Sequence, residues 1–328
     1  MKALALLSGG LDSSLAIRLI QNQGIEVVGL HFLIPFCRHK DVKMEKSAAK
    51  KIADSLRVKL KTEYLGQEFL KMVKNPRYGY GKNLNPCIDC KILMFKKAKK
   101  IMKEVDASFI VSGEVLGQRP MSQNKQSLKL IEKESGLKGL LLRPLSAKLL
   151  SLTIAEEKGW VKREGLEDVC GRGRNLQIKL AEKLGIREYP WPAGGCLLTD
   201  PEFCKRLKDL IKHNQFALEN IELLKVGRHF RFSPTFKLVV GRDKEENERL
   251  NHLFRKGDIY FEPKEEPGPS ALGRGEYDEE TKLLAARIIA RYTSCGQEVK
   301  IFVRILGKTQ EEYLVKGSDK DIRGKMIR

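Results

Sequence analysis

The run Ser8-Gly9-Gly10-Leu11-Asp12-Ser13-Ser14 has the residue types needed to hold a phosphate. Two adjacent glycines admit a bulky anion to the backbone without Cβ interference. Small hydroxyl residues leave N–H groups free at a helix start, where the dipole favours negative charge. The run has neither the lysine and spacing of a Walker loop nor the G-x-G-x-x-G of a dinucleotide fold. An ordinary β-turn-α corner would share its Gly-Gly and Asp-Ser punctuation. The flanks supply the context for an anion site: the apolar run 3–7 before it reads as a strand, and Leu15, Ala16, Leu19 and Ile20 after it fall at helical spacing.

Thiols form the second reactive set. Seven cysteines in a chain without an extracellular signature are not a disulfide framework and point to metal or redox chemistry. Cys87 and Cys90 form C-x-x-C at the start of a long helix, where the dipole and nearby lysines favour thiolate, hence nucleophiles and ligands. Cys196, after Gly194-Gly195, is a third candidate for the same site. Three thiolates can hold a [4Fe–4S] cluster while one iron stays open to another ligand. A zinc site would need a fourth ligand, for which Cys170 and Cys37 come first. Otherwise Cys37, Cys170, Cys204 and Cys295 read as buried or inert thiols.

The elements that must position these groups alternate in type. Strands are expected at 25–32, 58–65, 108–114 and 140–145, and helices at 45–56, 69–73, 87–105, up to Glu134 and over 172–184. With the opening strand this predicts an α/β domain around a five-stranded parallel sheet. Ligands of such sheets bind at the carboxyl edge, which makes Phe32 a candidate for a base contact, beside its reading as a core residue. Thr153-Ile154-Ala155-Glu156 has the pattern of a capping box. A Gly/Pro/Asn/Tyr loop over 75–86 is expected near the site, and a rigid proline-glycine loop over 189–201 is expected to close the first domain. Beyond it, β-like runs at 236–241 and 299–306 and an acidic helix over 245–254 indicate a smaller α+β module. The expected domains are 1–205 and 206–328.

The formal charge of +20 is placed unevenly. Residues 1–200 carry 36 Lys and Arg against 21 Asp and Glu, whereas 201–328 carry 26 against 21. Such an excess suits a polyanionic partner such as RNA, although a surface rich in Lys and Glu also raises the charged fraction. On the helix from Cys87, Lys96, Lys99, Lys100 and Lys103 share one face, read as solvated, while Ile92, Phe95, Ala98 and Met102 share the other. No apolar run approaches the roughly 18 residues of a membrane span, and no signal peptide opens the chain, so a cytoplasmic protein without a membrane partner is expected.

The first of these runs resembles the PP-loop, S-G-G-x-D-S, of ATP pyrophosphatases, which adenylate a substrate and release pyrophosphate. With Asn85-Pro86-Cys87-Ile88-Asp89-Cys90, Ser112-Gly113-Glu114 and Cys196, about the first 200 residues resemble the PP-loop tRNA thiolation enzymes, the 2-thiouridylases and 4-thiouridine synthases. The resemblance implies an adenine nucleotide alpha hydrolase-like fold for 1–205. ATP, with Mg²⁺, would be held by Ser8, Gly9, Gly10, Asp12, Ser13, Ser14, Phe32 and Gly113. Asp12, Cys90 and Cys196 would be catalytic: Cys90 matches the thiouridylase nucleophile and Cys196 the persulfide carrier. The additional Cys87 is similar to the cluster-dependent thiolases and implies a [4Fe–4S] cluster on Cys87, Cys90 and Cys196. Segments 227–233, 236–243, 267–269 and 285–292 resemble the RNA-binding domain of NFACT proteins. The implied function is ATP-dependent tRNA sulfurtransfer to a uridine carbonyl, with tRNA and a persulfide carrier or sulfide as partners. A PP-loop amidotransferase or ligase acting on a small metabolite, and an RNA-binding protein with a relic PP-loop, are the rivals. The sequence specifies neither the thiolated position nor an oligomeric state.

Overall fold

Near-continuous apolar runs separated by amphipathic helices are what a parallel sheet covered on both faces requires, and the first 199 residues build one. The computed structural model describes residues 1–37, 47–187, 189, 195–293, 298–307, 309–317 and 324–327. They divide into two units, Met1–Thr199 and Asp200–Arg328.

In the first unit β1 (Lys2–Leu6), β2 (Glu26–Leu33), β3 (Lys59–Tyr64), β4 (Phe109–Val111) and β5 (Leu141–Leu142) pair in the order β3-β2-β1-β4-β5, every pair parallel. The expected five-stranded α/β sheet is therefore present. The helices are α1 (Leu11–Gln21), α2 (Ala48–Ser55), α3 (Gln67–Lys74), α4 (Cys87–Glu104), α5 (Lys125–Ser135), α6 (Ile154–Glu157) and α7 (Asn175–Lys183). One core lies between the sheet and α1 and α2, with Ile17, Ile20, Ile52 and Val111; a second packs Ile92, Phe95 and Met102 of α4 against Leu4, Val28 and Ile110. On the opposite face of α4, Lys96, Lys100 and Lys103 are exposed, as its periodicity predicts. The capping box at Thr153 forms, its backbone N–H donating to Glu156 Oε2 at 2.8 Å.

Two strands are shorter than their apolar runs. β5 stops after Leu142 because Arg143 turns its side chain into a buried ion pair and Pro144 has no N–H for the ladder. β4 stops after Val111, and Ser112, Gly113 and Glu114 leave the ladder to line the carboxyl edge. Residues 45 and 46 of the expected second helix, and 190–194 of the proline-glycine loop, lie outside the described residues.

The second unit opens with α8 (Pro201–Lys212), whose N-cap Asp200 accepts a hydrogen bond from the Phe203 N–H at 3.0 Å and whose proline stands in the first turn. There follow α9 (Leu218–Ile221), β6 (Arg228–Arg231), β7 (Lys237–Val240), α10 (Lys244–Leu253), β8 (Asp258–Pro263), β9 (Ala271–Arg274), α11 (Glu279–Arg291), β10 (Val299–Ile305) and β11 (Glu311–Val315). The strands form one antiparallel sheet in the order β11-β10-β8-β9-β7-β6, and α11 lays Ala285, Ala286, Ile288 and Ile289 on it. No helix among the described residues is long and apolar enough to cross a membrane.

Beneath β7 lies a buried cation. Asp209 of α8 accepts hydrogen bonds from Arg231, including Nε at 3.2 Å, and lies 3.6 Å from Lys237 Nζ, which itself has no hydrogen-bond partner among the described residues. Burial pushes the Lys237 amine down to about 7, with Asp209 opposing the shift and Arg231 adding to it. An unfolded lysine keeps its proton to about 10.4. The unfolded chain therefore binds more protons between about pH 7 and 10, and this group makes folding more favourable as pH rises through that window. Below pH 7 its full penalty applies. Lys237→Met, which leaves Asp209 its arginine, is expected to raise the melting midpoint at pH 7 and to flatten the rise in stability from pH 7 to 9.5, as read by thermal denaturation at each pH.

Candidate active site

The strand order places the phosphate turn at the point where chain progression reverses. β2 and β3 extend the sheet to one side of β1, β4 and β5 to the other, so the ends of β1 and β4 flank the crevice in which open α/β sheets bind ligands. Residues Ser8–Gly10 follow β1 there and lead into α1 with no side-chain cap on its first N–H groups. Gly9 has φ +81°, and a Cβ on it would stand 2.6 Å from the Ala49 nitrogen at the start of α2. A Cβ on Gly113 would meet the Asp12 carbonyl carbon and the Ser13 nitrogen at 2.6 Å. Two neighbouring backbones thus hold the turn by close approach, and only glycine allows it. Ser13 and Ser14 donate to the Gly10 carbonyl at 2.8 and 3.0 Å, and the Ser8 and Ser13 hydroxyls are 3.2 Å apart.

Asp12 is held from two further segments. Its Oδ2 accepts from Gln118 Nε2 at 3.0 Å and lies 3.8 Å from Arg174 Nη2 at the start of α7; its Oδ1 is buried without a hydrogen-bond partner among the described residues. Sequence reasoning marked the stretch after β4 as irregular and 172–184 as basic, but singled out neither Gln118 nor Arg174. Nothing local couples them to a residue more than 100 positions away. Phe32, at the end of β2, is half-buried and packs with the α4 core cluster.

The thiols are gathered by the loop before α4. The Asp89 carboxylate accepts from the backbone N–H groups of Arg77 and Tyr78 at 2.9 and 3.0 Å, and so pins the Tyr-Gly-rich loop to the helix that carries Cys87 and Cys90. The same loop grips the late segment: Leu84 N–H donates to Leu198 O at 3.2 Å and Asn83 Nδ2 to Thr199 O at 2.8 Å. Cys196 is thereby delivered beside α4, where it forms an isolated antiparallel bridge with Cys37, flanked by a Leu197 N–H to Phe36 O bond of 3.0 Å. Cys87 Sγ donates to Asn85 Oδ1 at 3.2 Å.

Thiolate character at Cys90, expected from the helix start, is corrected by the structure. Burial pushes this thiol up to about 12, the Cys196, Cys87 and Cys37 thiols add to the shift, and Lys91 opposes it. Removal of the sulfur from water outweighs the helix N-terminus. The same electrostatics bring Cys37, read from sequence as inert, into one neighbourhood with the three selected cysteines. Cys170 is exposed and pairs in a bridge with Leu116, and Cys204 is buried in α8; Cys295 lies outside the described residues.

Half-buried sulfur donors in one neighbourhood fit an iron-sulfur group in chemistry, since bound iron would supply positive charge beside Cys90. In spacing, no three His, Cys, Asp or Glu side chains among the described residues stand together as a metal-ion site.

Glu114 connects the two halves. Its side chain is 2% exposed; burial alone would raise its pKa, but Lys91 at 3.4 Å and Arg143 at 3.0 Å outweigh this and hold the carboxyl below its usual range. Arg143 also pairs with Glu132 of α5. Cys90 is therefore followed by a lysine anchored on Glu114, and Glu114 is followed back through Gly113 to the backbone of Asp12.

The fold and this site define a PP-loop α/β unit joined to an antiparallel-sheet unit. The sequence profile of a family described as thiamine biosynthesis protein (ThiI) matches residues 1–151, and that of the NFACT protein RNA binding domain matches 227–321, so the resemblance read from the motifs is borne out. A probable tRNA sulfurtransferase of Thermococcus kodakarensis is 34% identical over 149 residues, covering 44% of this chain and 36% of that protein. The tRNA-specific 2-thiouridylase MnmA of Petrotoga mobilis is 34% identical over 153 residues, 40% of each chain. This chain thus spans well under half the length of these relatives. A solved 4-thiouridine synthetase–RNA complex with bound ATP aligns at 22% identity and TM-score 0.38, over 68% of this chain and 52% of that one.

Two outcomes test the geometry. Gly113→Ala is expected to cost roughly 1–3 kcal/mol of stability by overpacking and to disturb the phosphate turn, read by denaturant unfolding and by ATP binding of the folded fraction. Alkylation of Cys90 by iodoacetamide, followed by peptide mass spectrometry, is expected to be slow at pH 7.5 and still rising about tenfold per pH unit at pH 10. A plateau below pH 9 would contradict the burial of this thiol.

Proposed function

We propose that this chain is an ATP-dependent tRNA sulfurtransferase that replaces a uridine carbonyl oxygen with sulfur. The observation that carries the reading is the contact path from Cys90 through Lys91, Glu114 and Gly113 to Asp12, which ties a thiol cluster to a phosphate turn within one unit. An amidotransferase or a small-metabolite ligase explains the turn but leaves the thiols without a task.

ATP supplies activation of the uridine oxygen as an adenylate, after which sulfur displaces AMP. The backbone of Gly9 and Gly10 and the first N–H groups of α1 would receive phosphate oxygens, with the Ser8, Ser13 and Ser14 hydroxyls beside them. Asp12, with Oδ1 buried and open and Oδ2 fixed by Gln118, would hold Mg²⁺, and Arg174 stands where it can neutralise phosphate charge. Gly113 keeps the end of β4 close to the turn, and Phe32, at the end of β2, would border the base. Cys87, Cys90 and Cys196 would bind or deliver the sulfur. A [4Fe–4S] cluster, when bound by these three, would offer an iron for the incoming sulfur.

Residues 206–328, within the second unit, are proposed as the tRNA-docking module. Cations seated on aromatic rings support this, such as Arg304 at 5.0 and 4.8 Å from Phe254 and Tyr260, and Lys264 at 4.5 Å from Phe302. The basic excess of the first unit would add non-specific phosphate affinity.

Nucleoside mass spectrometry of tRNA from cells with and without the protein tests the function, and loss of one thiouridine on deletion is the expected result. Restoration is expected with the wild-type chain and not with Asp12→Ala or Cys90→Ala, with at least a hundredfold loss in each. Anaerobically purified protein is expected to contain iron and sulfide and to lose them in Cys87→Ala. An iron-free enzyme active without Cys87 would leave a Cys90–Cys196 pair as the sulfur-handling device.

A further inference from the structure

Cys37 sits opposite Cys196 in the fold. A hydrogen bond beside the bridge runs from the Leu197 N–H to the Phe36 oxygen, that is, between the residue after Cys196 and the residue before Cys37. This makes Cys37 and Cys196 a non-hydrogen-bonded antiparallel pair, the class in which Cα atoms approach to about 4.5 Å and both side chains leave the same face. A separation of about 4.5 Å falls inside the 4.4–6.8 Å range over which disulfides close without backbone movement. Both residues are half-buried, so a small reagent can reach them.

We propose that Cys37 and Cys196 form a reversible cross-strand disulfide that takes Cys196 out of the sulfur site under oxidising conditions. The site role of Cys196 rests on the sulfurtransferase reading; the disulfide rests on the bridge alone. The oxidant is a small disulfide. One of the two thiolates attacks a sulfur of glutathione disulfide, expelling one glutathione thiolate and leaving a mixed disulfide. The second protein thiolate attacks the protein sulfur of that mixed disulfide and expels the second glutathione. Two protein thiols are oxidised, one glutathione disulfide is reduced to two thiols, and the two protons pass to the thiolates released. Excess thiol reverses both steps.

The test uses the whole chain, exposed to defined ratios of glutathione disulfide to glutathione, alkylated, and digested with trypsin. The sequence divides the thiols among peptides: Cys37 lies in 19–38, Cys87 and Cys90 in 83–91, and Cys196, together with Cys204, in 188–205. The expected result is a linked 19–38/188–205 pair that is at least tenfold more abundant than any link to 83–91. It should survive Cys204→Ser, vanish in Cys196→Ser, and lose its preference in 6 M guanidinium. Glutathione adducts without a link, or a dominant link to 83–91, would overturn the proposal. For the consequence, Cys37→Ser is expected to thiolate tRNA within about twofold of wild type in excess thiol, and to resist glutathione disulfide at ratios that silence the wild type by more than tenfold. Equal silencing of both proteins would overturn the gating while leaving the disulfide intact. Absence of thiolation by the reduced wild type would defeat the sulfurtransferase reading and not the peptide link.

Discussion

A carboxylate buried as fully as Glu114 is tolerated only if its charge is answered on the spot, and the two cations that answer it come from different parts of the chain. Arg143 arrives from the end of β5 and also reaches α5 through Glu132, while Lys91 arrives from the first turns of α4. Removal of either leaves an uncompensated charge in the interior, which costs several kcal/mol in comparable settings. The pairings therefore fix the positions of β4, β5, α4 and α5 relative to one another at the edge where both reactive sets lie. They add to the packing of α4 on the sheet in holding Gly113 beside the turn and Cys90 in a defined relation to Asp12.

The two sets differ in how their environment treats charge. Around the turn, the first N–H groups of α1 have no side-chain cap, Arg174 stands beside Asp12, and one oxygen of that carboxylate has no hydrogen-bond partner among the described residues. Around Cys90 the opposite holds: a thiol among thiols, short of water and with one lysine nearby, stays protonated at neutral pH.

Much of this architecture is legible in the chain. The runs that became β1, β2 and β4 are apolar nearly throughout, as strands covered on both faces must be, and the phosphate turn is encoded within seven adjacent residues. The second unit is less legible because its strands are short and those at one edge, β10 and β11, alternate buried with more exposed positions. β11 reads Glu-Glu-Tyr-Leu-Val and β6 reads Arg-His-Phe-Arg, neither of which stands out from a loop. Site residues were found where they sit in a motif and missed where only tertiary contact recruits them. Gln118 and Arg174 are unremarkable until folded against Asp12, and Cys37 lies 159 positions from the cysteine it faces.

The hold of Asn83 and Leu84 on Leu198 and Thr199 has a consequence for biosynthesis. A ribosome makes the chain from its first residue, and domains fold as units once their sequence has emerged. The phosphate turn, the cysteines of α4 and Cys37 are all exposed to the cell before Cys196 exists, and the segment that brings Cys196 home is the last piece of the first unit. Nascent chains therefore carry an incomplete thiol set throughout the synthesis of that unit. Completion coincides with the appearance of Asp200 and the start of the second unit, so a chain truncated anywhere before residue 196 would have a nucleotide turn but not the full complement of sulfurs.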